Sequence, residues 1–277
     1  MKNRSIAAIG KAEKKMDNYA FSASNISFQS VGKEIDPIIS IDDFRMRQPV
    51  FQPHPHAGFA AITYLFEDSE GEFVSRDSLG GNLEAKPGGV IWNVAGRGLL
   101  HDEYPKVVGQ MAHGLQIFVN LSAPNKLCDP EVLFVDGPDI PLFSENGTEV
   151  RVVSGSAGNV EAKINPPENI TLLDIKLESD STFVKTLPVG ENILLYVIKG
   201  SISVGNEETL LTKSQTAVMD FDGDSVRLTA NEDAQVVLLA GKPHREELVF
   251  GGPFIMNTEQ QINEAIDRYH AGEMGDI

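Results

Sequence analysis

The sequence predicts an all-β protein in which one barrel- or sandwich-like unit is used twice in tandem, followed by a short C-terminal helix. Three observations lead there. The 25 glycines and 15 prolines are spread through the 277 residues and separate apolar runs of four to eight residues, many of them alternating. Runs of that length and period form strands rather than helices. Neither heptads nor a regular succession of strand and helix is present, which sets aside coiled coils and α/β barrels. The two halves also resemble each other: Tyr64-Leu-Phe-Glu67 parallels Tyr196-Val-Ile-Lys199, and Lys86-Pro-Gly-Gly-Val90 falls where the second half has Lys213-Ser-Gln-Thr-Ala217. At about 150 residues per domain the length allows two domains, as a repeated unit requires.

In chain order, strands are expected at residues 60–66, 90–93, 115–121, 150–154, 172–177, 193–198, 201–204, 217–221 and 235–240. A stretch rich in Pro, Asp and Gly, residues 135–146, separates the halves, giving domains of residues 1–140 and 141–277. The expected helix begins at Thr258, whose N-cap with Gln261 three residues on makes a capping box. Ile262, Ala265, Ile266 and Tyr269 fall on one face before Gly272 stops the turn, so this helix should pack on a barrel.

Composition narrows the function. With 41% hydrophobic and 23% charged residues the chain is an ordinary globular one, neither disordered nor fibrous. Forty acidic against 23 basic side chains give a net charge of -17, and the pI is near 4.7. Such a surface repels phosphate backbones and anionic lipid, so direct nucleic-acid or membrane binding is disfavoured. The single cysteine, Cys128, forms no intrachain disulfide. Residues 1–18 contain only a four-residue apolar patch before a basic run, too short for a secretion signal. No window approaches the ~18 apolar residues of a membrane span. A soluble cytoplasmic monomer is expected.

Six histidines are present, at positions 54, 56, 101, 113, 244 and 270. His54-Pro-His56 and His101-Asp-Glu103 each place two ligating side chains at i and i+2, which share one face of a strand. Two such strands facing each other inside a barrel would gather His54, His56, His101 and Glu103 around one point. Three imidazoles and a carboxylate without thiolate suit a first-row divalent ion and argue against a structural zinc site. Four protein ligands in octahedral geometry leave two positions open for water, a chelating substrate or dioxygen. Asp102, between two ligands, should point to the opposite face.

These residues resemble a known family. Phe51-Gln-Pro-His-Pro-His-Ala-Gly-Phe59, Arg76-Asp-Ser-Leu-Gly80, the long stretch from Lys86 to Pro105, His113-Gly-Leu-Gln116 and Gly252-Pro-Phe-Ile-Met-Asn-Thr258 are similar to segments of the pirin family of the cupin superfamily. The resemblance runs from about Phe51 to Tyr269. It implies a bicupin, two tandem jelly-roll-like β-barrels with metal in the N-terminal one only. Carried over by motif, the ligands would be His54, His56, His101 and Glu103, and the usual metal is iron. It also implies activity like that of quercetin 2,3-dioxygenases. The chain departs from the pirin pattern His-Arg-Gly-Phe-Glu-Thr, placing Ala57, Ala60 and Ala61 where Arg, Glu and Thr are usual, near the expected pocket mouth. Residues 43–49, Asp-Phe-Arg-Met-Arg-Gln-Pro, replace a glycine-rich approach.

In the second half, Thr186, Pro188, Leu228 and Ala230 fall where the first half has its ligands, and none binds metal well. His244 reads as a solvated turn residue, His270 as a helix-terminal cation, and His113 as either an orienting or a packing residue. Ala95-Gly-Arg-Gly98 lacks the lysine and hydroxyl of a phosphate loop and reads as a bend before His101. Asn146-Gly-Thr148 and Asn169-Ile-Thr171 fit the glycosylation pattern by chance.

The expected function is a dioxygenase holding one divalent metal, Fe(II) foremost, with Mn, Ni, Co, Cu or Zn as the other options. Its substrate would be a flavonol-like or other enol or phenol aromatic, with Glu103 as ligand, general base or both in turn. Phe51, Phe59, Phe118 and Trp92 are the expected apolar walls. The alternative is a non-catalytic metal-binding, redox-sensing regulator that binds a protein partner. A metal-dependent isomerase or sugar-type cupin is a third reading.

Overall fold

A computed structural model describes residues 1–277. Each half contributes a seven-stranded and a four-stranded antiparallel sheet. In the first half the larger sheet runs Glu131–Val135, Val90–Val94, Phe59–Leu65, Ala112–Asn120, Ile38–Met46, Phe21–Ser27 and Glu13–Asp17. The smaller sheet runs His54–His56, Leu99–Pro105, Phe73–Asp77 and Asn82–Ala85. The second half repeats the arrangement strand for strand. Its larger sheet runs Ile6–Lys11, Gln215–Met219, Asn192–Lys199, Ala234–Gly241, Ile170–Leu177, Thr148–Ser154 and Leu142–Glu145, and its smaller one Thr182–Thr186, Ser225–Ala230, Ser201–Val204 and Thr209–Thr212. All nine expected strands are present, most displaced by one or two residues at an end.

Strand alternation explains how the barrels pack. Along Phe59–Leu65, Ala60, Ile62 and Tyr64 face the second barrel, whereas Phe59, Ala61, Thr63 and Leu65 face the interior of the first. The inter-barrel cluster holds 27 buried residues drawn from both halves, against 23 in the second barrel's own interior. Apolar surface is therefore buried as heavily between the barrels as within one.

The faint repeat has a structural counterpart. Tyr64 and Tyr196 occupy matching strands, and each hydroxyl reaches across the interface to an aspartate on the matching strand of the other barrel. Tyr64 donates to Asp174 at 2.8 Å, and Tyr196 donates to Asp43 at 2.7 Å.

The termini cross between barrels. Strand Ile6–Lys11 pairs with Gln215–Met219 of the second barrel. Ahead of it the buried Arg4 donates to the carbonyls of Pro188, Glu191 and Gly223 at 2.7, 2.6 and 3.0 Å. Helix Glu259–His270 and strand Phe254–Met256 pack instead on the first barrel, in a cluster of Ala57, Phe254, Met256, Ile262, Ala265 and Met274. The division at residue 140 thus describes sequence order, and each terminus completes the other half's barrel.

The helix starts as expected, with Thr258 Oγ1 accepting from Gln261 N at 3.2 Å. The Gln261 side chain reaches one residue further back than a capping box does, accepting from Asn257 N at 3.0 Å. Residues 135–146 include the edge strand Leu142–Glu145, joined to Thr148–Ser154 by Asn146-Gly147. Both turn residues have positive φ, the conformation for which Asn-Gly is favoured in two-residue hairpin loops.

Candidate metal centre

His54 and His56 stand on a three-residue edge strand, where Pro55, having no N–H to give, is tolerated. This strand pairs with Leu99–Pro105 so that His54 lies opposite His101 and His56 opposite Leu99. The two histidine-bearing strands are therefore neighbours in one sheet, not strands facing each other across the barrel. The bend before His101 is built on glycine: Gly96 has φ +48°, and a Cβ there would lie 2.2 Å from the Cys128 carbonyl oxygen.

The three imidazoles converge, with ring centroids 4.6 Å apart for His54 and His101, 4.8 Å for His54 and His56, and 4.9 Å for His56 and His101. Their candidate ligand atoms lie within 4.8 Å of one another. His54 Nδ1 is 2.9 Å from the Gln52 carbonyl oxygen, which directs its proton there and leaves Nε2 free. His101 Nε2 and His56 Nδ1 are buried without any hydrogen-bond partner. Two buried imidazoles with unpaired nitrogens are costly in a core and are satisfied by a shared ion. Burial, reinforced by His54, lowers the His56 pKa to about 3. Burial beside His56 and His54 holds His101 well below its ordinary value too. Both rings are thus kept neutral, the form that ligates metal.

Glu103 lies beside this group rather than among its three members, its Oε1 3.8 Å from His101 Nδ1. Burial raises its pKa to about 7, against the opposing pull of a 2.7 Å hydrogen bond from Thr63 Oγ1. Thr63 Oγ1 is also 2.9 Å from Gln116 Oε1, and Asn93 Nδ2 is 3.3 Å from His101 Nδ1. Sequence reasoning missed Thr63, Asn93 and Gln116. The signal was there, since each is a polar residue in the middle of an apolar run on the inward phase of its strand.

A cavity of about 240 Å³ opens over the histidines, lined by His54, His56, His101, Glu103, Asp42 and Gln116 together with six aromatic or apolar side chains. Phe51 and Phe118 line it as expected, while Phe21, Phe44, Met46 and Phe73 were not anticipated. Phe44 and Met46 belong to residues 43–49, whose alternate members Asp43 and Arg45 face the other way. Two expected walls are not walls. Phe59 is buried behind His56 and Phe118, at centroid distances of 4.9 and 4.8 Å. Trp92 points outward into the inter-barrel core, because Ile91 and Asn93 take the inward phase of that strand. Nor do Ala57, Ala60 and Ala61 sit at the pocket mouth: all three are buried in apolar clusters.

The remaining histidines lie elsewhere. His113 is buried at the inter-barrel face, with Nδ1 2.7 Å from Asp68 Oδ1 and Nε2 3.3 Å from Asp43 Oδ1. Burial opposes its charge, but hydrogen bonds to Asp43 and Asp68 outweigh this and raise its pKa. His244 is not a solvated turn residue. Its side chain is 11% exposed, with Nε2 3.1 Å from the Asn120 carbonyl oxygen and 3.5 Å from Glu168. His270 is exposed in the last helical turn. Asp102 points away from the site as expected and is buried against Arg76 on the next strand.

The pirin family profile matches residues 8–119, and that of the pirin C-terminal cupin domain matches residues 172–275. Human pirin is 35% identical over 240 residues, which cover 84% of this chain and 81% of its own. The chain belongs to the pirin family. Its two barrels are accordingly the two cupins of a bicupin. Another family relative, a Pseudomonas aeruginosa protein named as a candidate quercetin 2,3-dioxygenase, is 33% identical over 252 residues, 87% of each chain. Among solved structures, a quercetin 2,3-dioxygenase from Acinetobacter baumannii superposes with a TM-score of 0.87 at 26% identity, covering 99% of both chains. The second cupin has no counterpart of the histidine cluster: Leu228 and Ala230, the counterparts expected for the second ligand pair, are buried in its apolar cluster of 23 residues.

Proposed function

We propose that this pirin is a metal-dependent dioxygenase acting on a small enol or phenol aromatic, with His54, His56, His101 and Glu103 as the metal ligands. One observation carries the reading. Three converging imidazoles, two of them with unpaired buried nitrogens, and a buried carboxyl line a solvent-open cavity whose other walls are Asp42, Gln116 and six aromatic or apolar side chains. An occluded barrel would favour the sensor reading instead.

The donor set fits Fe(II), and on donor chemistry also Mn, Co, Ni, Cu or Zn. Cys128, the only thiol, contacts Gly96 and is not among the cavity residues. When bound, Fe(II) supplies Lewis acidity toward an enol or phenol oxygen and one-electron chemistry toward dioxygen. The chain's own residues do the rest. Phe44 and Phe73 offer flat apolar faces to an aromatic ring, excluding water around it. Glu103, whose Oε1 is fixed by the hydrogen bond from Thr63, is placed at the histidines to take the substrate's hydroxyl proton. The cavity lies just below the ~300–1,000 Å³ usual for small-molecule sites. That volume favours a substrate presenting one ring at a time to the histidines.

Oxygen uptake tests the proposal. Protein reconstituted anaerobically with Fe(II), then mixed with catechol or quercetin and oxygenated buffer, should consume oxygen in step with substrate. No uptake with Fe, Mn, Co, Ni or Cu would end the dioxygenase reading.

A further inference from the structure

Beside the metal-side cavity of about 240 Å³ lies an outer groove of about 890 Å³, and Phe118 is the one residue that lines both. Its ring is half-buried, packed edge-on at 5.7 Å from His56 on one side and grouped with Ile39, Leu248 and Ile255 on the other. Two features of the backbone set up this wall. Strand Ala112–Asn120 pairs Phe118 with Ser40 but Val119 with Ile38, so Ile39 is an unpaired bulge residue at the wall. Bulges of this kind re-aim side chains beside functional sites. On the other flank, Phe118 is paired with the small Ala61, and its ring lies 4.8 Å from that of Phe59. The groove beyond is lined by Phe28 and Phe250, 53% and 61% exposed, with Leu248 and Ile255.

We propose that Phe118 is a specificity-determining residue that separates the metal-side cavity from the outer groove and so sets how large an aromatic substrate can reach the histidines. This rests on the reading of the site as one for enols or phenols. A single-ring substrate fits on the histidine side of Phe118. A substrate with further fused or linked rings reaches the site only when Phe118 turns aside, with its distal rings lying in the groove against Phe250 and Leu248.

The test is equilibrium binding to Fe(II)-loaded protein under anaerobic conditions, with catechol as the one-ring probe and quercetin as the three-ring probe. Phe118→Ala should lower the quercetin Kd about tenfold while changing that of catechol less than about threefold, and Phe118→Leu should fall between wild type and Phe118→Ala. An unchanged quercetin-to-catechol ratio in both variants, or a parallel weakening of both probes, would show a packing role only and overturn the proposal. Failure of either probe to bind any of the three proteins would overturn it too. Because binding is read without oxygen, a shifted ratio in a protein that never consumes oxygen would uphold Phe118 and reject the dioxygenase reading.

Discussion

Glu103 keeps its proton because its carboxyl is buried and only Thr63 donates to it. If it ligates the ion, binding at pH 6 must expel that proton. Calorimetry in buffers of different ionisation enthalpy should therefore show about one proton fewer released by Glu103→Gln than by wild type, and equal release would remove Glu103 from the ligand set. The same shift has a sign in stability. A carboxyl whose folded pKa, about 7, exceeds its ordinary 4.5 stabilises the metal-free fold below pH 4.5 and loses that contribution as pH rises through 7. His56, lowered to about 3, acts in the opposite sense, and its contribution is lost as pH falls from 6.5 toward 3. Glu103→Gln removes the opposing fall, so metal-free stability, followed by urea titration, should climb more steeply from pH 5 to 6.5 than in wild type. The i, i+2 spacing made the histidine pairs legible from sequence. Strand phase was legible only through single polar residues, since the apolar residues on the two faces of a run such as Val90–Val94 look alike. That is why Trp92 was expected at the cavity and Asn93 was not.

Among the elements, the C-terminal helix matters most to the site. Ile262 and Ala265 pack against Ala57 and Met256, and Ile255 N donates to the Ala57 carbonyl at 3.0 Å, next to His56. Ile262→Ala should cost about 2–5 kcal/mol by urea unfolding, as cavity-forming core substitutions do. It should also speed metal loss to a chelator, because the histidine strand loses its backing. The helix itself was legible through its N-cap and apolar face. Its destination was not, because periodicity says that a face is buried but not against which barrel. The same holds for Ile6–Lys11, a half-exposed strand that joins a sheet made otherwise of residues 142–241.

Across the whole molecule, the shared core and the paired Tyr64–Asp174 and Tyr196–Asp43 bonds make the two barrels one folding unit. Tyr64→Phe leaves the buried Asp174 to Gln235 alone and should destabilise by about 1–3 kcal/mol. Both halves should still unfold in one calorimetric transition, and two resolved transitions would refute the coupling. The repeat was readable from Tyr64 and Tyr196 because a buried tyrosine hydroxyl needs a fixed partner, while most of the interface is aliphatic and interchangeable in sequence. Repetition of the fold also sharpens its asymmetry: one barrel holds three imidazoles and a buried carboxyl in its interior, and its twin is packed there with apolar side chains. Metal stoichiometry tests this most directly. Elemental analysis of iron-reconstituted, desalted protein should find one ion per chain in the wild type and none in His101→Ala. Two ions per chain, or one retained by His101→Ala, would contradict the account.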